Sequence, residues 1–230
     1  MQAVILSAGR GTRMGALTET LPKPMLEVAG KTLLEYKFDV LPEDVHEIIL
    51  IVGYLKEEII ERFGDSYKGK RLIYIEQENI VGGTMDALLQ AKGILTEKFL
   101  VMMGDDIYSS ADITAVLAHD WALLVQRVPD TAVGGRVVID ADHNVLDIIE
   151  GGSGEGAVNT NMFALDSRIF DFPPIPKAPD STELGLPQTV LAASKASGIP
   201  LNVVEATRWI QITNPEDIAK AEKLLSTERA

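Results

Sequence analysis

Cysteine is absent from the 230 residues, which excludes disulfides, thiolate metal sites and cysteine nucleophiles and suits a reducing cytoplasm. Histidine occurs three times, at His46, His119 and His143, without metal-ligand spacing, so these read as surface or turn residues. No apolar run reaches the roughly 18 residues of a membrane span. The start, Met1-Gln2-Ala3-Val4-Ile5-Leu6, lacks the basic region and cleavage site of a secretory signal. Basic residues are scarce: 21 Lys and Arg against 34 Asp and Glu leave a net charge of −13. Such a field repels nucleic acid and anionic membranes, so neither is an expected partner. An acidic chain that binds an anion must gather its cations at the anion, which gives weight to Arg10, Arg13, Lys23 and Lys31 near the N-terminus.

With 46% apolar and 24% charged residues, the composition is that of a globular chain, not a disordered tail, collagen-like fibre or coiled-coil rod. The all-apolar runs Val4–Leu6, Ile48–Val52 and Phe99–Met103 read as strands buried on both faces. Helical patterns lie between them. Lys56–Phe63 carries Ile59, Ile60 and Phe63 on one face, and Thr84–Ala91 carries Ala87, Leu88 and Ala91. This alternation predicts an α/β fold with a largely parallel sheet. After about residue 125 the rhythm changes. Strands are expected over Ala122–Val128, Gly135–Asp140, Val145–Ile149, Asn159–Leu165 and Leu201–Glu205, with a tight turn at Asp142-His143-Asn144. Phe172–Pro187 holds five of the 11 prolines and reads as a loop. Helices are expected over Pro187–Ser197 and Pro215–Ser226. No repeat or linker divides the chain, so residues 1–230 are expected to form one domain.

The most informative stretch is Leu6-Ser7-Ala8-Gly9-Arg10-Gly11-Thr12-Arg13-Met14, a buried strand entering a loop with two glycines and two arginines. α/β sheets bind ligands at this position. Glycines let backbone N–H groups approach phosphate oxygens, and arginine supplies a forked cation. No Gly-Lys-Ser/Thr follows, which excludes a P-loop, and Met14 occupies the third glycine position of a dinucleotide fingerprint. On glycines alone, a phosphate loop and a solvated turn remain equally open. Leu21-Pro22-Lys23-Pro24-Met25-Leu26 then sets a lysine between two prolines of fixed φ, so that a rigid backbone aims it in one direction.

Taken together, AVILSAGRGTRMGALTETLPKPMLEVAGKTLLE resembles the signature of the sugar-phosphate nucleotidyltransferases, or nucleotide-sugar pyrophosphorylases. Further matches follow in order: Gln77 ahead of Gly82-Gly83-Thr84, then Met103-Gly104-Asp105-Asp106 at a strand end. Gly135, Glu150 and Asn159 follow, then Trp209-Ile210-Gln211-Ile212-Thr213-Asn214-Pro215-Glu216-Asp217. The resemblance implies a Rossmann-like fold, a mixed, mostly parallel sheet flanked by helices. Residues 1–120 would be the nucleotide-binding half and 121–230 the acceptor-binding half. It implies a nucleoside triphosphate and a sugar 1-phosphate as substrates and Mg²⁺ as cofactor. Leu6, Ala8, Gly9, Gly11 and Thr12 would cradle the triphosphate, Arg13 would meet the leaving phosphates, and Lys23 the reacting centre. Gln77, Gly83 and Thr84 would read the base, Asp105 would hold the metal, and Gly135, Glu150 and Asn159 would contact the sugar. No hexapeptide repeat appears, so the C-terminal β-helix of bifunctional relatives, with its acetyltransferase activity, is not expected. A homo-oligomer stays open.

Two positions depart from the pattern. The family's second metal carboxylate falls on Gln211, whose amide oxygen can ligate Mg²⁺ without adding charge. Glu150 is followed by Gly151-Gly152 where many members carry a lysine for the acceptor phosphate. Another cation, Arg136 or Arg208, is then expected to serve, or the acceptor differs, phosphocholine being one option. A nucleotide-sugar sensor without turnover is the competing reading. Trp209 is expected in packing, with the acceptor pocket as its other option. Ser7 has no glycine at the elbow position, which argues against a serine hydrolase.

Overall fold

The structure, a computed structural model, describes residues 1–95 and 97–227. Its first part runs β1 (Gln2–Ser7), β2 (Glu27–Val28), β3 (Lys31–Thr32), α1 (Leu33–Val40), β4 (Glu47–Val52), α2 (Lys56–Phe63) and β5 (Ser66–Tyr67). Then come β6 (Lys70–Glu76), α3 (Thr84–Leu89), β7 (Phe99–Met103), β8 (Ile107–Tyr108) and α4 (Ser110–Leu117). The later part comprises β9 (Trp121–Val128), β10 (Arg136–Ile139), β11 (Val145–Ile149) and β12 (Gly156–Leu165). It closes with α5 (Leu186–Ser197), β13 (Leu201–Glu205), β14 (Trp209–Ile210) and α6 (Pro215–Thr227).

Among the described residues ten strands form one mixed sheet in the order β11-β10-β12-β7-β1-β4-β6-β5, with β9 beside β12 and β13 beside β9. The centre β6-β4-β1-β7 is parallel, and β12 joins it antiparallel through Phe163–Leu165 against Phe99–Val101. Alternation along the strands divides the core. Val4 and Leu6 pack with α3 and α5, whereas Ala3 and Ile5 pack with α1, α2 and α4. The buried runs imply the α/β fold with its parallel centre, and the whole is the mixed, mostly parallel, Rossmann-like sheet that the resemblance implies. No helix among the described residues is long and apolar enough to cross a membrane.

Ile60 departs from the expected face. It is 39% exposed while Ile59 and Phe63 are buried, because one residue of rotation carries it past the edge of the buried stripe. The turn after β10 contains His143 at φ 62°, held by Asp140 Oδ1, which accepts from the N–H groups of Asp142 and Asn144. The proline-rich segment is ordered by its own hydrogen bonds, as a strap described below.

Candidate functional site

β1 lies between β4 and β7, so the loop leaving it opens at the C-terminal edge of the parallel strands, where side chains from several strand ends converge. Two adjoining cavities, of about 380 and 440 Å³, lie there and share Leu6, Gly9, Arg13, Met103 and Glu183 in their walls.

The second cavity is built on the glycine loop and the lysine between prolines. Gly11 sits at φ +63°, and a Cβ there would come within 2.8 Å of Lys23 Cβ, so only glycine lets the loop lie on that side chain. Pro22 leads the 3₁₀ turn Lys23–Met25, and Lys23 is buried. Its Nζ donates to Asp105 Oδ2 at 2.6 Å. Gly11, Thr12, Lys23 and Asp105 all line this cavity, with Thr213 opposite. The other N-terminal cations serve elsewhere: Arg10 lies over the Tyr54 ring at 5.0 Å, and Lys31 pairs with Asp39 at 2.5 Å.

The first cavity takes Ala8, Gln77, Gly83 and Thr84 from one side. The Gln77 amide nitrogen donates to Asp86 Oδ2 at 2.8 Å and to Gly83 O at 3.2 Å, which orients the side chain and spends its donors. From the other side come Gly135, Glu150, Asn159 and Gln211. A register shift in β12 between Asn159 and Phe163 leaves Asn161 at φ 58°, and Asn159 Oδ1 accepts from its N–H at 2.7 Å. This bulge turns both asparagines toward the cavity wall. Every residue to which the family pattern assigns a role thus borders one cavity or the other; the alternatives offered for the acceptor do not. Arg136 and Arg208 border neither, nor does Trp209.

Three features were not legible in advance. The proline-rich segment forms a strap. Leu184 N–H donates to Gly82 O at 2.7 Å and Met85 N–H to Leu184 O at 2.9 Å, which brings Lys177, Glu183 and Gln188 to the cavity. A lysine between prolines, Pro176-Lys177-Ala178-Pro179, was the available signal. The second feature is Asn161.

The third is a buried charge cluster behind the site. Asp106 turns inward, where its Oδ2 accepts the Trp209 indole N–H at 2.9 Å. Lys37, on α1, is wholly buried, 5.9 Å from the centre of the Tyr108 ring. Its Nζ has no hydrogen-bond partner among the described residues. Burial, reinforced by the charge of Asp105, pushes the Asp106 carboxyl up to about 7. Burial also lowers Lys37 to about 8, against the pull of Asp106 and Asp105. Trp209 therefore serves in packing and as a hydrogen-bond donor rather than as a pocket wall.

Among the described residues no three His, Asp or Glu side chains converge as a metal cage. One partly exposed carboxylate at a cavity wall, Asp105, nevertheless suits a small divalent cation that takes one or two protein oxygens and completes its shell with phosphate oxygens and water.

A family model described as nucleotidyl transferase matches residues 2–227. The Bifunctional protein GlmU of Methanocaldococcus jannaschii is 33% identical over 230 residues, covering 98% of this chain and 54% of that protein. This chain thus spans about half the length of that relative. The UTP–glucose-1-phosphate uridylyltransferase AglF of Haloferax volcanii is 31% identical over 240 residues, covering 99% of this chain and 98% of that one. Among solved structures, a putative glucose-1-phosphate thymidylyltransferase from Bacillus anthracis superposes with a TM-score of 0.85 at 21% identity, over 97% of this chain and 94% of that chain; this likeness concerns the fold. By the extent of the family match, joined to the glycine loop and lysine at the head of the sheet, the chain belongs to the nucleotidyl transferase family.

Proposed function

We propose that the chain joins a nucleoside triphosphate, UTP or dTTP, to a sugar 1-phosphate and releases pyrophosphate. The observation that carries this reading is the Lys23–Asp105 pair, 2.6 Å apart, beside a glycine loop where two cavities meet. In the reaction, an oxygen of the acceptor phosphate attacks the α-phosphorus, and the bond from that phosphorus to the oxygen bridging toward the β-phosphate breaks. The electron pair leaves with pyrophosphate. The nucleophile is already ionised, so no strong general base is required; in-line placement and charge neutralisation supply the catalysis.

Lys23 meets the α-phosphate and Arg13 the leaving phosphates, while backbone N–H groups of the Ala8–Thr12 loop cradle the chain of phosphates along Leu6. Asp105 and the Gln211 amide oxygen would hold Mg²⁺, which when bound offsets phosphate charge. Gln77 has its amide donors engaged by Gly83 and Asp86, so its oxygen is the group left to accept the N3–H of uracil or thymine. Cytosine offers no such donor. Gly83 and Thr84 complete the base side, and Gly135, Glu150 and Asn159 take the sugar. Work in the cytoplasm fits the lack of cysteine.

The test is Mg²⁺-dependent pyrophosphate release from UTP, dTTP, CTP and GTP, each crossed with a panel of sugar 1-phosphates and phosphocholine. Release with UTP or dTTP and one sugar 1-phosphate is the expected result. Release only with phosphocholine replaces the acceptor, and nucleotide binding without any release favours a sensor.

A further inference from the structure

We infer that Lys177 of the proline strap is the specificity-determining cation for the phosphate of the acceptor, an inference that rests on the nucleotidyl-transfer reading above. A sugar 1-phosphate brings a dianion into an acidic protein, and some cation must receive it on the acceptor side. Among the described residues the wall of the 380 Å³ cavity contains two basic ones, Arg13 and Lys177. Arg13 also borders the second cavity, on the side of the glycine loop, and is committed there to the triphosphate. Lys177 borders only the first, together with Glu150 and Asn159. The position after Glu150 is Gly151 and offers no charge. Arg136 and Arg208 border neither cavity.

The backbone that carries Lys177 is held firmly while its side chain is not. Its N–H donates to Glu183 O at 2.8 Å, and Gly185 N–H donates to Ile175 O at 2.9 Å. Thr189 Oγ1 accepts from Ile175 N–H at 2.9 Å, and Pro176 limits rotation immediately before the lysine. Among the described residues the Lys177 ammonium, by contrast, meets only the Glu183 carboxylate, at 3.6 Å, with both side chains about half exposed. That separation exceeds a normal hydrogen bond, and an exposed pair of this kind contributes little. A phosphate offering several strong acceptor oxygens outcompetes it. Glu183 thus holds the ammonium at the cavity wall and yields it to the acceptor.

The experiment is steady-state kinetics of pyrophosphate release for the unmodified chain, Lys177→Ala and Lys177→Arg. Each substrate is varied in turn, with glucose 1-phosphate as the first acceptor and the best acceptor of the panel where that differs. Lys177→Ala is expected to raise KM for the acceptor about tenfold or more, the loss of one charge-assisted hydrogen bond, with KM for the nucleotide within about twofold. Lys177→Arg is expected to restore most of the acceptor affinity. An unchanged acceptor KM overturns the inference. So does an equal rise in both KM values, which would mark a strap that merely shapes the site, or a rise in nucleotide KM alone. Silence of the unmodified chain across the whole panel is a different failure: it overturns the nucleotidyl-transfer reading itself, and this inference with it.

Discussion

Asp105 and Asp106 are neighbours in sequence and face opposite ways: Asp105 reaches Lys23 Nζ across 2.6 Å at the cavity wall, while Asp106 turns inward to accept the Trp209 indole N–H at 2.9 Å. One strand end thus supplies an outward carboxylate at the cavity wall and an inward one that ties the late β14 segment beneath it.

Removing the outward group should abolish turnover without unfolding the chain. Asp105→Ala and Arg13→Ala are each expected to lower turnover about a hundredfold or more, the usual cost of deleting one preorganised charge at a reacting centre. Thermal melts should stay close to those of the unmodified chain for Arg13→Ala and fall for Asp105→Ala, which leaves the buried Lys23 ammonium without its carboxylate. Near-normal pyrophosphate release in either variant would reject its assigned role.

The inward pair should behave as one unit. Between about pH 7 and 8, where both groups carry charge, Lys37→Met leaves Asp106 buried without its counter-charge, and Asp106→Asn leaves Lys37 in the same position. Each is expected to cost about 3 kcal/mol in urea unfolding. The double variant should lose clearly less than the sum, with a coupling of about 1 kcal/mol or more. Strict additivity would show that the two charges do not depend on each other.

The same cluster gives stability a pH dependence with a definite sign. Asp106 keeps its proton to about pH 7 when folded, against an ordinary value of 3.8. Between those values the folded state binds more protons, so this group's contribution is greatest in acid and falls as pH rises toward 7. Lys37 releases its proton from about 8 instead of 10.5. There the unfolded state binds more protons, and its contribution rises with pH across that window. Urea midpoints followed from pH 4 to 7 should therefore fall less steeply in Asp106→Asn than in the unmodified chain. A parallel trend in both would refute the assignment.

Gly83 offers a test of the strap. It sits at φ +91°, and a Cβ there would lie 2.5 Å from the Leu184 carbonyl oxygen. Gly83→Ala is expected to cost about 1–3 kcal/mol from backbone strain and to raise KM for the nucleotide by pushing Leu184 off the base-side turn. Unchanged stability together with unchanged KM would show that the contact yields freely.

Much of this was readable because the strongest signals are local. The apolar runs of β1, β4 and β7 are strands whatever surrounds them, and the glycine loop with Pro22-Lys23-Pro24 is continuous in the chain. Other parts escaped notice. β6, Lys70–Glu76, carries charges at both ends and is only partly buried, which hides a strand within a polar pattern. α1 is only weakly amphipathic, and its N-terminus is made by a capping box on Thr32 and Glu35 rather than by a periodic face. The Asp106–Trp209 bond joins residues 103 positions apart, and nothing in either neighbourhood announces the other. The strap is the plainest case: prolines identified a loop, but only its docking on Gly82–Thr84 reveals which residue it delivers.

β12 is where the two halves of the chain become inseparable. It pairs with β7 on one side and with β9 and β10 beyond, so it covers the apolar edge of β7 at Phe99–Val101. A fragment ending near residue 120 would display that apolar edge unpaired, a ready template for adding a strand from another molecule. The later half therefore also guards the first half against aggregation. Any exchange of that half must keep a strand capable of covering the same three residues.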